Sequence, residues 1–184
     1  MKIIGVVGLI GSGKDVFASH LTKKYGYRTI NMGDIVREFV LSLGRQITRE
    51  NLHQTQKEYR DKYGADFFGK EVEKKIKANE WTHVIIDGIR RVEDIEPIKK
   101  DYEKDFMLIF IEADDKIRFE RLRKRKRDGD PKTFREFAEQ ERNEYVHFHW
   151  DDLFRMAEYK LDNNRTVDEF HRVIDKFVVD YELI

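Results

Sequence analysis

Apolar residues along the chain fall into two kinds of pattern. Segments 3–7, 84–86 and 107–111 are almost continuously apolar, which fits strands buried on both faces of a parallel sheet covered by helices. Shorter strand candidates lie at 28–31 and 159–161. Between them, apolar positions recur at helical spacing over 16–25, 35–43, 49–63, 67–77, 92–102, 116–126, 134–156 and 167–181. Two helix starts carry capping-box signatures, Thr133-x-x-Glu136 and Thr166-x-x-Glu169. Strands alternating with helices predict an α/β fold with a parallel sheet. There is no internal repeat or Pro/Gly linker, the best loop signal of the second half is 128–131, and 184 residues predict a single domain spanning 1–184.

Composition narrows the function classes. The chain has 36 Lys+Arg against 36 Asp+Glu, a formal net charge of zero, with 13 Phe, 8 Tyr and 2 Trp. The aromatic content and the charge balance predict a folded protein rather than a disordered polyelectrolyte. Neutrality argues against a broad nucleic-acid surface, which carries a basic excess. The longest apolar run, 106–111, is far short of a membrane span. The N-terminus runs directly into a strand, so no signal peptide is expected, and a cytoplasmic protein is. The absence of cysteine excludes disulfides, thiolate zinc sites and cysteine nucleophiles.

The sharpest motif is Gly8-Leu9-Ile10-Gly11-Ser12-Gly13-Lys14, which sits between the first strand and the first helix. It matches G-x-x-x-x-G-K in the strand–loop–helix setting that a phosphate-binding loop requires. Glycines let successive N–H groups curl around one phosphate at a helix N-terminus, and Lys14 adds a point charge between the outer phosphates. The next position usually holds Ser or Thr, whose hydroxyl coordinates Mg²⁺; here it is Asp15, followed by Val16. A carboxylate is a good ligand for a hard cation, so Asp15 is a candidate metal ligand, directly or through water.

Further candidates follow the strands. Val84-Ile85-Ile86-Asp87 is an apolar strand ending in an acid, the pattern that supplies a second metal contact in phosphate-loop enzymes. Gly88-Ile89-Arg90-Arg91 then places guanidinium groups at the carboxyl end of the sheet, where α/β proteins bind ligands; pairing of Arg90 with Glu93 or Asp94 is the plainer alternative. After the second strand, Asp34 is positioned to cap a helix and Arg37 to hold an acceptor phosphate one turn later. Seven basic residues lie between Arg118 and Arg127. Arg118, Arg121 and Arg125 share one helical face, and Glu120 is spaced to pair with Lys124. A loop and a helix carrying Arg135 and Arg142 come next. His147 and His149, two apart, are not spaced as a helical metal pair and are assigned no chemistry.

Together these segments, with Thr48-Arg49-Glu50-Asn51-Leu52, Asp130-Pro131-Lys132-Thr133-Phe134 and Asp162-Asn163-Asn164, resemble nucleoside monophosphate kinase-like phosphate-loop proteins over nearly the whole chain. The similarity is to archaeal adenylate kinase-related and dephospho-CoA kinase-like proteins, to deoxynucleoside monophosphate kinases and to deaminase-linked kinase-like domains. It implies a P-loop NTPase three-layer sandwich with a five-stranded parallel sheet. It also implies a helical acceptor-binding insertion at about 33–79 and a lid at about 126–143. ATP with Mg²⁺ is the implied donor. Gly8, Ile10, Gly11, Ser12, Gly13, Lys14, Asp15 and Val16 would form the ATP cradle, and Asp15 and Asp87 the metal ligands. Arg121 and Arg125 would be lid-base arginines on the donor, Arg142 a later lid arginine, and Asn163 a contact to the donor base. Asp34, Arg37, Asp87, Arg90 and Arg91 would hold the acceptor. The implied activity is γ-phosphoryl transfer to a (deoxy)nucleoside monophosphate or similar small phosphorylated acceptor, by a monomer or homodimer. A nucleotide-binding sensor with little turnover, and transfer to a hydroxyl as in dephospho-CoA with Asp34 as base, are the alternatives.

Overall fold

The structure is a computed structural model that describes residues 1–127, 129–148 and 150–184, with His147 described by its backbone. Asp128, in the loop expected at 128–131, His149 and the His147 side chain lie outside the described residues. The elements run β1 (Lys2–Val7), α1 (Lys14–Tyr25), β2 (Arg28–Asn31), α2 (Met32–Ser42), α3 (Arg49–Tyr63), α4 (Phe67–Ala78) and β3 (His83–Asp87). A 3₁₀ turn (Val92–Asp94) leads into α5 (Glu96–Asp101), followed by β4 (Phe106–Glu112), α6 (Asp115–Arg125), α7 (Phe134–Phe148), α8 (Trp150–Met156), β5 (Tyr159–Asp162) and α9 (Val167–Asp180). The five strands form one parallel sheet of order β2-β3-β1-β4-β5.

Three expected helices are redrawn. α2 starts at Met32 rather than 35, because the Asn31 side chain caps it, accepting from Gly33 N at 2.8 Å. Asp34 is therefore inside the first turn and is not the cap. The helix expected over 92–102 is a 3₁₀ turn and a six-residue helix. Pro97, in the first turn of α5, lacks the N–H that a continuous helix would use there. The helix expected over 134–156 is two, α7 and α8.

The chain packs into two compact units, Met1–Gly5 with Tyr27–Met107 and Val6–Gly26 with Leu108–Ile184. In the first, β3 pairs with β1 (Ile4 beside Ile85) and with β2 (Asn31 beside Asp87). Its side chains Ile3, Ile4, Phe68, Val72, Ile76, Val84, Ile85 and Ile86 are fully buried. In the second, β4 pairs with β5 (Ile111 beside Leu161). α9 starts at a full capping box on Thr166 and Glu169 and buries Phe170, Ile174, Phe177 and Val178. Each of these four contributes about 1.5–3 kcal/mol of hydrophobic stabilisation. The Thr133 box forms by half: Glu136 N donates to Thr133 Oγ1 at 3.2 Å, while the Glu136 carboxylate accepts from Lys132 N.

Candidate phosphate-binding site

The loop between β1 and α1 has the backbone that its glycines predict. Gly11 (φ +78°) and Gly13 (φ +102°) are left-handed, where any Cβ is strained. A Cβ on Gly11 would also lie 2.9 Å from the Arg118 carbonyl, and one on Gly13 2.1 Å from Asn163 Nδ2. The loop is thus shaped by its own conformation and by the elements against it. Lys14 Nζ lies over the curl, donating to Gly8 O at 2.7 Å and Leu9 O at 3.3 Å. No side chain caps α1, and a helix N-terminus is where backbone N–H groups meet an anion. The Ser12 hydroxyl is buried with no hydrogen-bond partner among the described residues.

Two elements enclose the loop. From α6, Arg121 donates to Asn163 O (2.8 Å) and Oδ1 (3.1 Å), with longer contacts to Gly11 O and Ser12 O. Burial lowers the pKa of this guanidinium from its ordinary value. From the turn after β5, Asn163 Nδ2 donates to Ser12 O at 2.7 Å. Arg121 and Asn163, with Gly11, Gly13, Asp15 and Val16, line a cavity of about 190 Å³, and Leu122, Arg125 and Val167 complete its wall. Arg125 is held by Asp130 through two bonds, 2.6 and 3.1 Å. That bond raises the Arg125 pKa, with a smaller push from the Asp15 charge, and holds Asp130 below the usual carboxylate range.

Other expected members stand elsewhere. Arg142 is exposed on α7, and Ile10 packs against Phe119, Leu122 and Phe137. Glu120 pairs with Arg123 at 2.9 Å rather than with Lys124. Arg118, counted only as part of a basic face, is 2 % exposed and donates to the Ile10 carbonyl of the loop. A buried Arg at the start of a basic run gives no signal in the sequence that separates it from its exposed neighbours.

The expected acceptor residues belong to the first unit. Asp34 and Arg37 pair at 2.5 Å on α2. Asp87, at the end of β3, accepts from Gly88 N at 2.7 Å and from Asn31 Nδ2 at 3.4 Å. Asn31 thus links the ends of two adjacent strands while capping α2. Arg90 is exposed and Arg91 half-buried. Asp94, the suggested partner of Arg90, is buried and pairs instead with Arg60 of α3 at 2.7 Å. Among the described residues no cluster of three or more His, Cys, Asp or Glu could hold a metal ion. No helix among them is long and apolar enough to cross a membrane.

Residues 7–138 match a family profile described as an AAA domain. The chain is 36 % identical over 174 residues to a UPF0200/UPF0201 protein of Archaeoglobus fulgidus, covering 92 % of this chain and 53 % of that protein. It therefore spans about half the length of that relative. It is 32 % identical over 168 residues to a UPF0200 protein of Hyperthermus butylicus, covering 91 % of this chain and 88 % of that one. Shikimate kinase from Bacteroides thetaiotaomicron superposes with a TM-score of 0.59 at 14 % identity, covering 98 % of each chain. The fold is the α/β phosphate-loop NTPase fold.

Proposed function

The chain belongs to the UPF0200 family, and from that premise we propose that it is an ATP-dependent phosphotransferase acting on a (deoxy)nucleoside monophosphate or a similar small phosphorylated acceptor. The observation that carries the reading is the phosphate loop. Its glycines hold conformations that serve close approach to phosphate, its lysine lies over the curl, and its wall is a cavity lined by Arg121, Arg125 and Asp15. A turn built only to connect β1 to α1 would need none of these.

The residues fit a nucleoside triphosphate with Mg²⁺. Uncapped N–H groups at the start of α1, the unpartnered Ser12 hydroxyl and Lys14 suit phosphates. The exposed Asp15 carboxylate at the cavity suits a hard cation, which normally takes one or two carboxylates plus phosphate oxygens rather than an all-protein cage. Bound Mg²⁺ would neutralise charge on the phosphates. Lys14, Arg121 and Arg125 supply the remaining positive charge, and Arg142 is assigned to the lid about 126–143. Arg37, Arg90 and Arg91 are assigned to the acceptor phosphate within the insertion about 33–79, and Asp87 to the metal. The acceptor phosphate oxygen forms the new P–O bond as the β–γ bridging bond breaks. That oxygen is already anionic, so no general base is needed. We assign the protein to the cytoplasm, with small-molecule nucleotides as partners and no nucleic acid or membrane, as a monomer or homodimer.

One observation favours a nucleotide sensor with little turnover: the usual hydroxyl ligand is replaced by Asp15, followed by Val16. Transfer to a hydroxyl is disfavoured, because its candidate base, Asp34, is held by Arg37. The test is incubation with Mg-ATP and a panel of nucleoside monophosphates, deoxynucleoside monophosphates and dephospho-CoA. A new phosphorylated nucleotide is expected. Tight ATP binding with no product from any acceptor overturns the kinase in favour of the sensor.

A further inference from the structure

We propose that Arg118 is a positioning residue for the phosphate loop, with Glu141 of α7 setting its grip; the proposal rests on the nucleotide-binding reading above. Arg118 is almost wholly buried, and its planar fork of donors is spent on named acceptors. Nε donates to Ala113 O at 2.9 Å, and Nη2 to Asp115 Oδ1 at 2.6 Å. Nη1 is shared between Ile10 O, at 3.2 Å, and the Glu141 carboxylate. The Phe137 ring, one turn before Glu141 on α7, lies 5.1 Å from the guanidinium carbon.

The bond to Ile10 O bears on phosphate binding because of peptide geometry. In a trans peptide, C=O and N–H point in opposite directions. Holding the Ile10 carbonyl toward Arg118 therefore turns the Gly11 N–H away from α6, as a phosphate donor must be. The backbone of α6 also crowds the loop at this point, since a Gly11 Cβ would lie 2.9 Å from the Arg118 carbonyl oxygen. The two carboxylates on Arg118 are not equivalent. Asp115 is 64 % exposed and Glu141 only 16 %, so the Glu141 charge is less screened and dominates the orientation of the guanidinium. Without it, the fork swings toward Asp115 and solvent, and the Ile10–Gly11 peptide is free to rotate. Since Glu141 and Phe137 both belong to α7, the seating of that helix and the shape of the loop are coupled.

The test compares Glu141→Gln with Asp115→Asn, which removes the same charge from the exposed partner, by ATP titration calorimetry and by the Gly11 amide resonance in the nucleotide-free protein. Glu141→Gln is expected to weaken ATP about tenfold, the loss of one charge-assisted bond's orientation, and to shift the Gly11 resonance. Asp115→Asn is expected to stay within about twofold. Arg118→Lys, which keeps the charge but not the fork, is expected to behave as Glu141→Gln does. A lower melting temperature with ATP affinity and the Gly11 resonance both unchanged is a merely structural role and overturns the proposal. If the wild-type protein binds no ATP, the nucleotide reading fails, and an unmoved Gly11 resonance overturns the positioning role separately.

Discussion

The two units use their arginines differently. In the phosphate-loop unit, Arg121 donates to the backbone carbonyls of Asn163, Gly11 and Ser12. Arg118 donates to those of Ile10 and Ala113 and is also paired with the carboxylates of Asp115 and Glu141. In the helical unit, Arg37, Arg45 and Arg60 pair with the carboxylates of Asp34, Glu58 and Asp94. A guanidinium held by carbonyls, as at Arg121, keeps its charge for a ligand and shapes the chain it holds. One on a carboxylate is neutralised, and an anionic ligand must first displace its partner. The phosphate-loop unit, where Arg121 is tied to the loop through carbonyls, is therefore the one that gains most directly from binding phosphate.

The largest effect that can break this contrast is Lys14→Ala. Loss of the loop cation is expected to cut phosphoryl transfer by about 10²-fold or more, read in the acceptor assay, because electrostatic stabilisation carries most of such chemistry. Unchanged turnover would take the loop out of the reaction. Arg90→Ala is expected to weaken the acceptor instead; an effect confined to ATP affinity contradicts its assignment.

Next in size is the helical unit's buried pair. Asp94→Ala leaves the Arg60 guanidinium, 11 % exposed, without its carboxylate, and is expected to cost about 3 kcal/mol in urea unfolding. Burial pushes the Asp94 pKa up against the pull of Arg60. A raised folded value adds stability at low pH that fades as pH rises through it, so the gap between wild type and variant should widen on acidification toward about pH 4. Asp175 in the other unit runs the opposite way. Burial pushes it up, but bonds from Lys24, His20 and Tyr25 carry it well below the usual range. Its contribution, about 1–2 kcal/mol, is present at pH 7 and lost as pH falls below about 4, so the Asp175→Asn gap should close there. Two gaps moving in the same direction would refute the assignment.

The same difference between backbone and side-chain partners explains what the sequence revealed. The strands at 3–7, 84–86 and 107–111 are found to within a residue at each end, because buried strands write their apolar runs locally. The shorter strands at 28–31 and 159–161, with one buried position each, Ile30 and Leu161, complete the five-stranded parallel sheet. The phosphate loop was legible for a similar reason, since glycine spacing encodes backbone shape. The partners of single charged residues were not. Asp94 took Arg60, 34 positions away, and Arg118 took Ile10, 108 away, pairings that only the tertiary fold creates. Asn31 was missed as a cap because Asp34, three residues on, is an equally good capping residue by type.

The smallest predicted effect lies where the two arginine uses meet. Arg125 lines the loop's cavity, yet it is paired as the helical unit's arginines are, with both oxygens of Asp130. A polyphosphate in that cavity has to compete with Asp130 for it, and the carboxylate adds its own repulsion. Asp130 also accepts from Arg127 N at 3.0 Å, so its removal loosens the turn, which opposes the gain. The charge term is the larger, because the competing bond is a bidentate ion pair and the turn bond a single one to a neutral N–H. Asp130→Asn is therefore expected to tighten ATP binding by about twofold to fivefold at low salt, with the gain shrinking as ionic strength rises. Weaker binding, or a gain indifferent to salt, would mean that Asp130 holds Arg125 in place for the nucleotide rather than away from it.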